Sequence, residues 1–150
     1  MSKDGILYSK DGKTLVQYPA GKTPTNGILT INKNNGTIEG VEYIEKQAFY
    51  GCQTIVSADV ESLIKIGDEA FYYMNSLKSV TLTSVETIGI ASFAMGGLTN
   101  VIVGDGCETI NEEAFSACTS LKNIKLPEGL KKIGGSAFYK CTNINELVIP

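Results

Sequence analysis

Four cysteines, two acidic pairs and three tyrosines are the residues whose chemistry could go beyond packing in this chain. Cys52, Cys107, Cys118 and Cys141 could ligate zinc or form disulfides, and Asp68-Glu69 and Glu112-Glu113 could act as acid and base or hold calcium. Spacing argues against both readings. No two cysteines form a Cys-x-x-Cys pair, and histidine is absent, which removes Ser-His and Cys-His nucleophile pairs and every His-containing metal site. A glycosidase needs two carboxylates facing each other across a cleft, whereas these recur just ahead of a phenylalanine and fall in a row on one side. The "GDG" at 104–106 is sparser than the Gly-Asp patterns of calcium-binding repeats. No catalytic residue, metal ligand, cofactor site or cofactor is therefore expected. Tyr50, Tyr72 and Tyr139, each directly after a phenylalanine, stay open: a stripe that stacks on sugar or protein, or a half-buried ridge of the repeat.

What positions these residues is a repeat. The five phenylalanines of the chain, at 49, 71, 93, 115 and 138, are separated by 22, 22, 22 and 23 residues. Five residues before each stands Ile44, Ile66, Ile88, Ile110 or Ile133, and three before that Val41, Leu63, Val85, Cys107 or Leu130. Just before each phenylalanine the residue is small: Ala48, Ala70, Ser92, Ala114, Ala137. A sulfur residue follows, Cys52, Met74, Met95, Cys118 or Cys141, and then Ile55, Leu77, Leu98, Leu121 or Ile144. A column that accepts methionine is a packing column, so its cysteines are expected to be buried, reduced thiols.

Each unit ends in a triplet: Ala58-Asp59-Val60, Val80-Thr81-Leu82, Val101-Ile102-Val103, Ile124-Lys125-Leu126 and Leu147-Val148-Ile149. Apolar outer members around an exposed middle predict a short strand with one face inward. A unit of 22 residues cannot bury that face alone, so the units must stack, with strands pairing in parallel. Between strand and phenylalanine, "LPEGLKKIGGSAF" predicts a tight, partly helical or 3₁₀ segment. In the third unit the Phe-to-Leu step is one residue short, and the Val103-to-Ile110 loop is one longer than in the first two units. The changes cancel, as surface loops allow while inward columns keep their depth.

The first 36 residues read differently. "ILYS" and "TLVQYP" predict a hairpin turning at Lys10-Asp11-Gly12-Lys13, with a further strand near Leu29 to Ile31 in an irregular opening coil. The expected organisation is a cap over 1–36 and five repeats over 37–150. Pro150 falls in the column of Pro127, so the sequence stops as the fifth strand ends. The expectation is a fragment of a longer array or an end covered by a second copy, that is, a homodimer through the C-terminal end.

The run Leu121, Ile124, Leu126, Pro127, Leu130, Ile133, Gly134, Ala137, Phe138 and Cys141 resembles the BspA-like, or Treponema pallidum type, leucine-rich repeats, and the resemblance covers about residues 37 to 150. It implies an α/β-type repeat solenoid: a curved leucine-rich-repeat right-handed superhelix of short parallel strands, mostly β and irregular coil, with its sheet on the concave side. The role it implies is adhesion or protein recognition at a bacterial cell surface.

Alternation nominates the binding face. The middle residues Asp59, Thr81, Ile102, Lys125 and Val148 point away from the core, with Ser57, Ser79, Asn100, Asn123 and Glu146 two positions earlier. Ile102 and Val148 are apolar where the surface has no structural need of them.

Composition narrows the partner. The chain is 150 residues long and 43% hydrophobic, with a net charge of -3 and 13 scattered basic residues that form no stripe for nucleic acid. No stretch of about 18 apolar residues offers a membrane span. The expected function is a non-enzymatic, adhesin-like interaction module, extracellular or at the cell surface, binding a host or neighbouring-cell protein through the concave sheet. The alternatives are a structural spacer within a larger surface enzyme, or a cytosolic scaffold.

Overall fold

The structure, a computed structural model, describes residues 1–34, 36–145 and 147–150. The opening segment contributes β1 (Ser2–Lys3), β2 (Ile6–Tyr8), β3 (Thr14–Gln17), β4 (Ile28–Asn32) and β5 (Ile38–Glu39). Successive coils then contribute pairs of strands: β6 (Tyr43–Ile44) with β7 (Ser57–Asp59), β8 (Lys65–Ile66) with β9 (Ser79–Leu82), β10 (Thr87–Ile88) with β11 (Asn100–Val103), and β12 (Thr109–Ile110) with β13 (Asn123–Lys125). The last is β14 (Lys132–Ile133). Two sheets run the length of the stack, one ordered β1-β2-β3-β6-β8-β10-β12-β14 and the other β13-β11-β9-β7-β4-β5. Every pairing between repeat coils is parallel. The chain is a β-solenoid.

The expected triplet strands form in four units, offset by up to one residue. The fifth does not: residues 147–150 carry no strand, and Val148 and Ile149 are both exposed, so in-out alternation is lost there. A strand this short exists through its ladder partners and the burial of its inward face. Four coils are thus complete in both sheets, and the fifth contributes β14 and the Phe138 turn.

Between strand and phenylalanine the structure departs from the expected helical or 3₁₀ segment. The described residues contain one 3₁₀ turn, Thr25–Gly27, and no α-helix. The isoleucine column instead closes two-residue strands of the second long sheet. The phenylalanine turn has left-handed residues on both sides: Gln47 and Gly51, Glu69 and Tyr73, Ala91 and Met95, Glu113 and Ala117, Ser136 and Lys140 all have positive φ. A helix would direct every N–H along its own axis. Here the N–H groups of Phe49, Phe71, Phe93 and Phe115 donate across the stack to the carbonyls of Ala70, Ser92, Ala114 and Ala137, at 2.7 to 2.9 Å. Left-handed residues let alternate N–H groups turn toward the next coil.

These bonds set the rings in a ladder. Phe49, Phe71, Phe93, Phe115 and Phe138 stack successively with centroids 4.8 to 5.5 Å apart and planes within 9°. That spacing is close to the separation of paired strands, so the backbone pitch dictates it. Tyr18 adds a sixth ring, 4.9 Å from Phe49. The aliphatic columns pack around the ladder, and Ile44, Ile66, Ile88 and Ile110 are all buried.

The hairpin turns where expected, with Gly12 at φ +74° and the Asp11 carboxylate accepting from Ser9 Oγ and from the Lys13 N–H. Its second strand, β3, continues the eight-stranded sheet by pairing in parallel with β6, and a Lys13–Glu42 ion pair spans the junction.

The third coil shows how one residue is lost and regained. Met95 is 46% exposed and does not belong to the sulfur column. Its N–H donates to the Ser116 carbonyl, as Tyr73 does to Ala94 and Ala117 to Tyr139, so it holds the outward position two after phenylalanine. The shortening falls after it, at Gly96-Gly97, where a Cβ on Gly97 would lie 2.0 Å from the Asn75 carbonyl oxygen. The added residue is absorbed at Gly104, equally close to Thr83.

Candidate interaction surface

The solvent face of the six-stranded sheet follows from strand register. Ser57, Ser79, Asn100 and Asn123 pair in one row, and Asp59, Thr81, Ile102 and Lys125 in the next. Each sits between inward residues such as Ala58, Val80 and Val101, which are buried. Two proposed residues fall outside this arrangement. Val148 lies in the strandless segment, exposed but not in the row, and Glu146 lies outside the described residues.

The rows also reach further toward the N-terminus than the triplets indicated. β4 pairs with β7 so that Ile28 stands beside Ser57 and Thr30 beside Asp59. Ile28 is exposed. The signal was present in "ILTIN", whose alternation carries Leu29 and Ile31 inward and the others out. At strand spacing, the row from Thr30 to Lys125 spans roughly 19 Å.

The face is chemically mixed. Ile102, 50% exposed, lies between the hydroxyl of Thr81 and the cation of Lys125, with the carboxylate of Asp59 one coil beyond Thr81. Such a surface has donors, acceptors, both charge signs and apolar members, but no constellation that activates a nucleophile.

Several of the other sequence candidates take part in contacts that hold the stack together. The Asp68 carboxylate accepts from the Ile90 N–H at 2.9 Å, and Glu69 accepts from Gln47 Nε2 at 2.6 Å; both tie neighbouring coils together. Among the described residues, no cluster of three or more His, Cys, Asp or Glu is placed to hold a metal ion. All four cysteines are free thiols. Cys118 Sγ donates to the Phe93 carbonyl at 3.1 Å and Cys141 Sγ to that of Phe115 at 3.0 Å. Burial pushes the Cys118 thiol up to about 12 and that of Cys107 up to about 11. Tyr50 and Tyr72 stack at 5.2 Å, but Ala94 and Ser116 hold the same position in the next two coils, so Tyr139 stands apart.

The comparisons with known proteins agree with this architecture. The sequence model of the BspA type leucine rich repeat region matches residues 42–150, in six copies. No curated protein matches the chain. Among solved structures, a leucine rich cell surface protein from Faecalibacterium prausnitzii superimposes with a TM-score of 0.78 at 27% identity, over 95% of this chain and 37% of that one. The T. pallidum leucine rich repeat protein gives 0.75 at 23% identity, over 93% and 65%. A leucine-rich repeat protein from Bacteroides ovatus gives 0.53 at 21%, over 96% and 45%. The chain spans less than two thirds of each of these proteins.

Proposed function

The chain belongs to the BspA-type leucine-rich repeat family, and from that premise we propose that it is a non-enzymatic, adhesin-like module of a bacterial cell-surface or secreted protein. It binds a host or neighbouring-cell protein along the solvent face of the six-stranded sheet. The observation that carries this reading is Ile102: an exposed aliphatic side chain in an in-register row, flanked by Thr81 and Lys125 on the neighbouring strands. Buried apolar anchors ringed by polar groups supply most of the energy of protein recognition. The Faecalibacterium protein is a leucine rich cell surface protein, and its likeness to this chain supports the location.

The test is binding of purified chain to a panel of purified host matrix and bacterial surface proteins. Ile102→Glu should weaken the interaction at least about tenfold, while Lys65→Glu on the opposite sheet should leave it unchanged. Equal binding by both variants removes this face as the site.

A cytosolic scaffold is the second reading, favoured by the four unpaired cysteines. Burial shields three of them from oxidants in either compartment, so the cellular location of the protein decides. Self-association through the last coil is a separate proposal, resting on the Phe138 ring, which is less buried than the four before it. Light scattering that finds only monomer at high concentration removes it.

A further inference from the structure

The chain has three methionines, and they stand in different surroundings. Met74 is buried in the sulfur column, Met1 is the exposed terminal residue, and Met95 is exposed on the turn edge that carries the phenylalanine ladder. The sulfur of Met95 accepts a hydrogen bond: Tyr72 Oη donates to Sδ at 2.9 Å. Tyr72 is held in place by its stack on Tyr50, with planes 15° apart, and Tyr73 is exposed beside it.

We propose that Met95 is a sulfoxidation site, oxidised by peroxides from the solvent side, and that Tyr72 biases the product toward one sulfoxide epimer. A thioether sulfur has two lone pairs, and oxidation at one or the other gives opposite configurations. The Tyr72 hydroxyl occupies one. The free lone pair attacks a peroxide oxygen, the O–O bond breaks and an S–O bond forms. The sulfur loses two electrons, and the second oxygen of hydrogen peroxide, taking up the proton released from the transferred one, leaves as water.

Thiols ordinarily compete for such oxidants as thiolates. Here Cys52, Cys107 and Cys118 are buried, and the Cys118 and Cys141 thiols are engaged with backbone carbonyls. Cys141 is half-buried, so the exposed sulfur away from the terminus is the thioether of Met95. Its sulfoxide places a strong dipole in the exposed edge formed by Tyr50, Tyr72 and Tyr73, turning an apolar patch polar. That edge is separate from the sheet face proposed for binding.

The experiment exposes the folded chain to dilute hydrogen peroxide and follows each methionine by peptide mass spectrometry. Met95 should oxidise at least about tenfold faster than Met74. Epimers are read by treating the oxidised chain, after unfolding, with the two epimer-specific sulfoxide reductases. Wild type should show an excess of one epimer at Met95 and near-equal amounts at Met1. Tyr72→Phe, which removes the hydroxyl and its exposed bond to Met95 but keeps the ring, should melt as wild type does and give near-equal epimers at Met95. Equal rates at Met95 and Met74, or the same epimer ratio with and without the Tyr72 hydroxyl, would overturn the proposal.

Discussion

Phe71 and Phe93 stack with ring centroids 5.0 Å apart and planes 2° from parallel, and Phe115 repeats the relationship on the far side of Phe93. Phe93 is therefore in contact with a ring above and a ring below, in a core that no solvent reaches. Phe93→Ala removes both contacts and leaves a cavity, and should cost about 3 to 5 kcal/mol. Phe138→Ala, with one stacked neighbour and a partly exposed ring, should cost less. Urea unfolding of the two variants checks the order; equal losses would mean the ladder does not carry the stack.

The left-handed residues beside each phenylalanine make an opposite pair of predictions. Gly51 has φ +66° and open space where a Cβ would go, so Gly51→Ala introduces backbone strain and little else, at a cost of about 1 kcal/mol. Ala91 has φ +49° and already carries that strain. Ala91→Gly should relieve it and, after the entropy that glycine loses on folding, stabilise by about 0.5 kcal/mol. Denaturation midpoints that move in the same direction would refute the assignment.

Alkaline pH should weaken the fold through the buried thiols. A thiol in the unfolded chain ionises near 9, while Cys118 in the folded chain holds its proton up to about 12. Its contribution is fully present below about pH 9 and is lost as pH rises from there toward about 12. Cys107, raised to about 11, acts in the same sense. Denaturation followed from about pH 7 to about pH 11 should show a steeper loss for the wild type than for Cys118→Ala. Identical slopes would show that Cys118 ionises as freely folded as unfolded.

The sequence made the phenylalanine ladder and the outward rows legible because each rests on a period or an alternation that several copies repeat. It hid the second sheet because a two-residue strand such as Lys65–Ile66 shows one inward residue and no alternation. Tyr18 escaped because it stands 31 residues before Phe49 rather than 22, its spacing set by the opening coil. Alternation puts Val148 in a row, but residues 147–150 form no strand, and Val148 and Ile149 are both exposed. Met95 was placed in the wrong column because a missing residue can be assigned to either side of it, and the Gly-Gly pair that follows was the signal.

That pair supplies the last prediction. Closing the third coil with one residue fewer brings its backbone against the second coil, and a methyl group on Gly97 would lie 2.0 Å from the Asn75 carbonyl oxygen and 2.7 Å from its carbon. Both atoms belong to the backbone and cannot swing aside as a flexible side chain would. Gly97→Ala should therefore cost about 2 kcal/mol or more, by pushing two coils apart. Gly106→Ala, with nothing within 4 Å of the new methyl, should stay within about 0.5 kcal/mol of the parent. If the two variants unfold alike, the third coil does not close at Gly97, and the placing of Met95 outside the sulfur column fails with it.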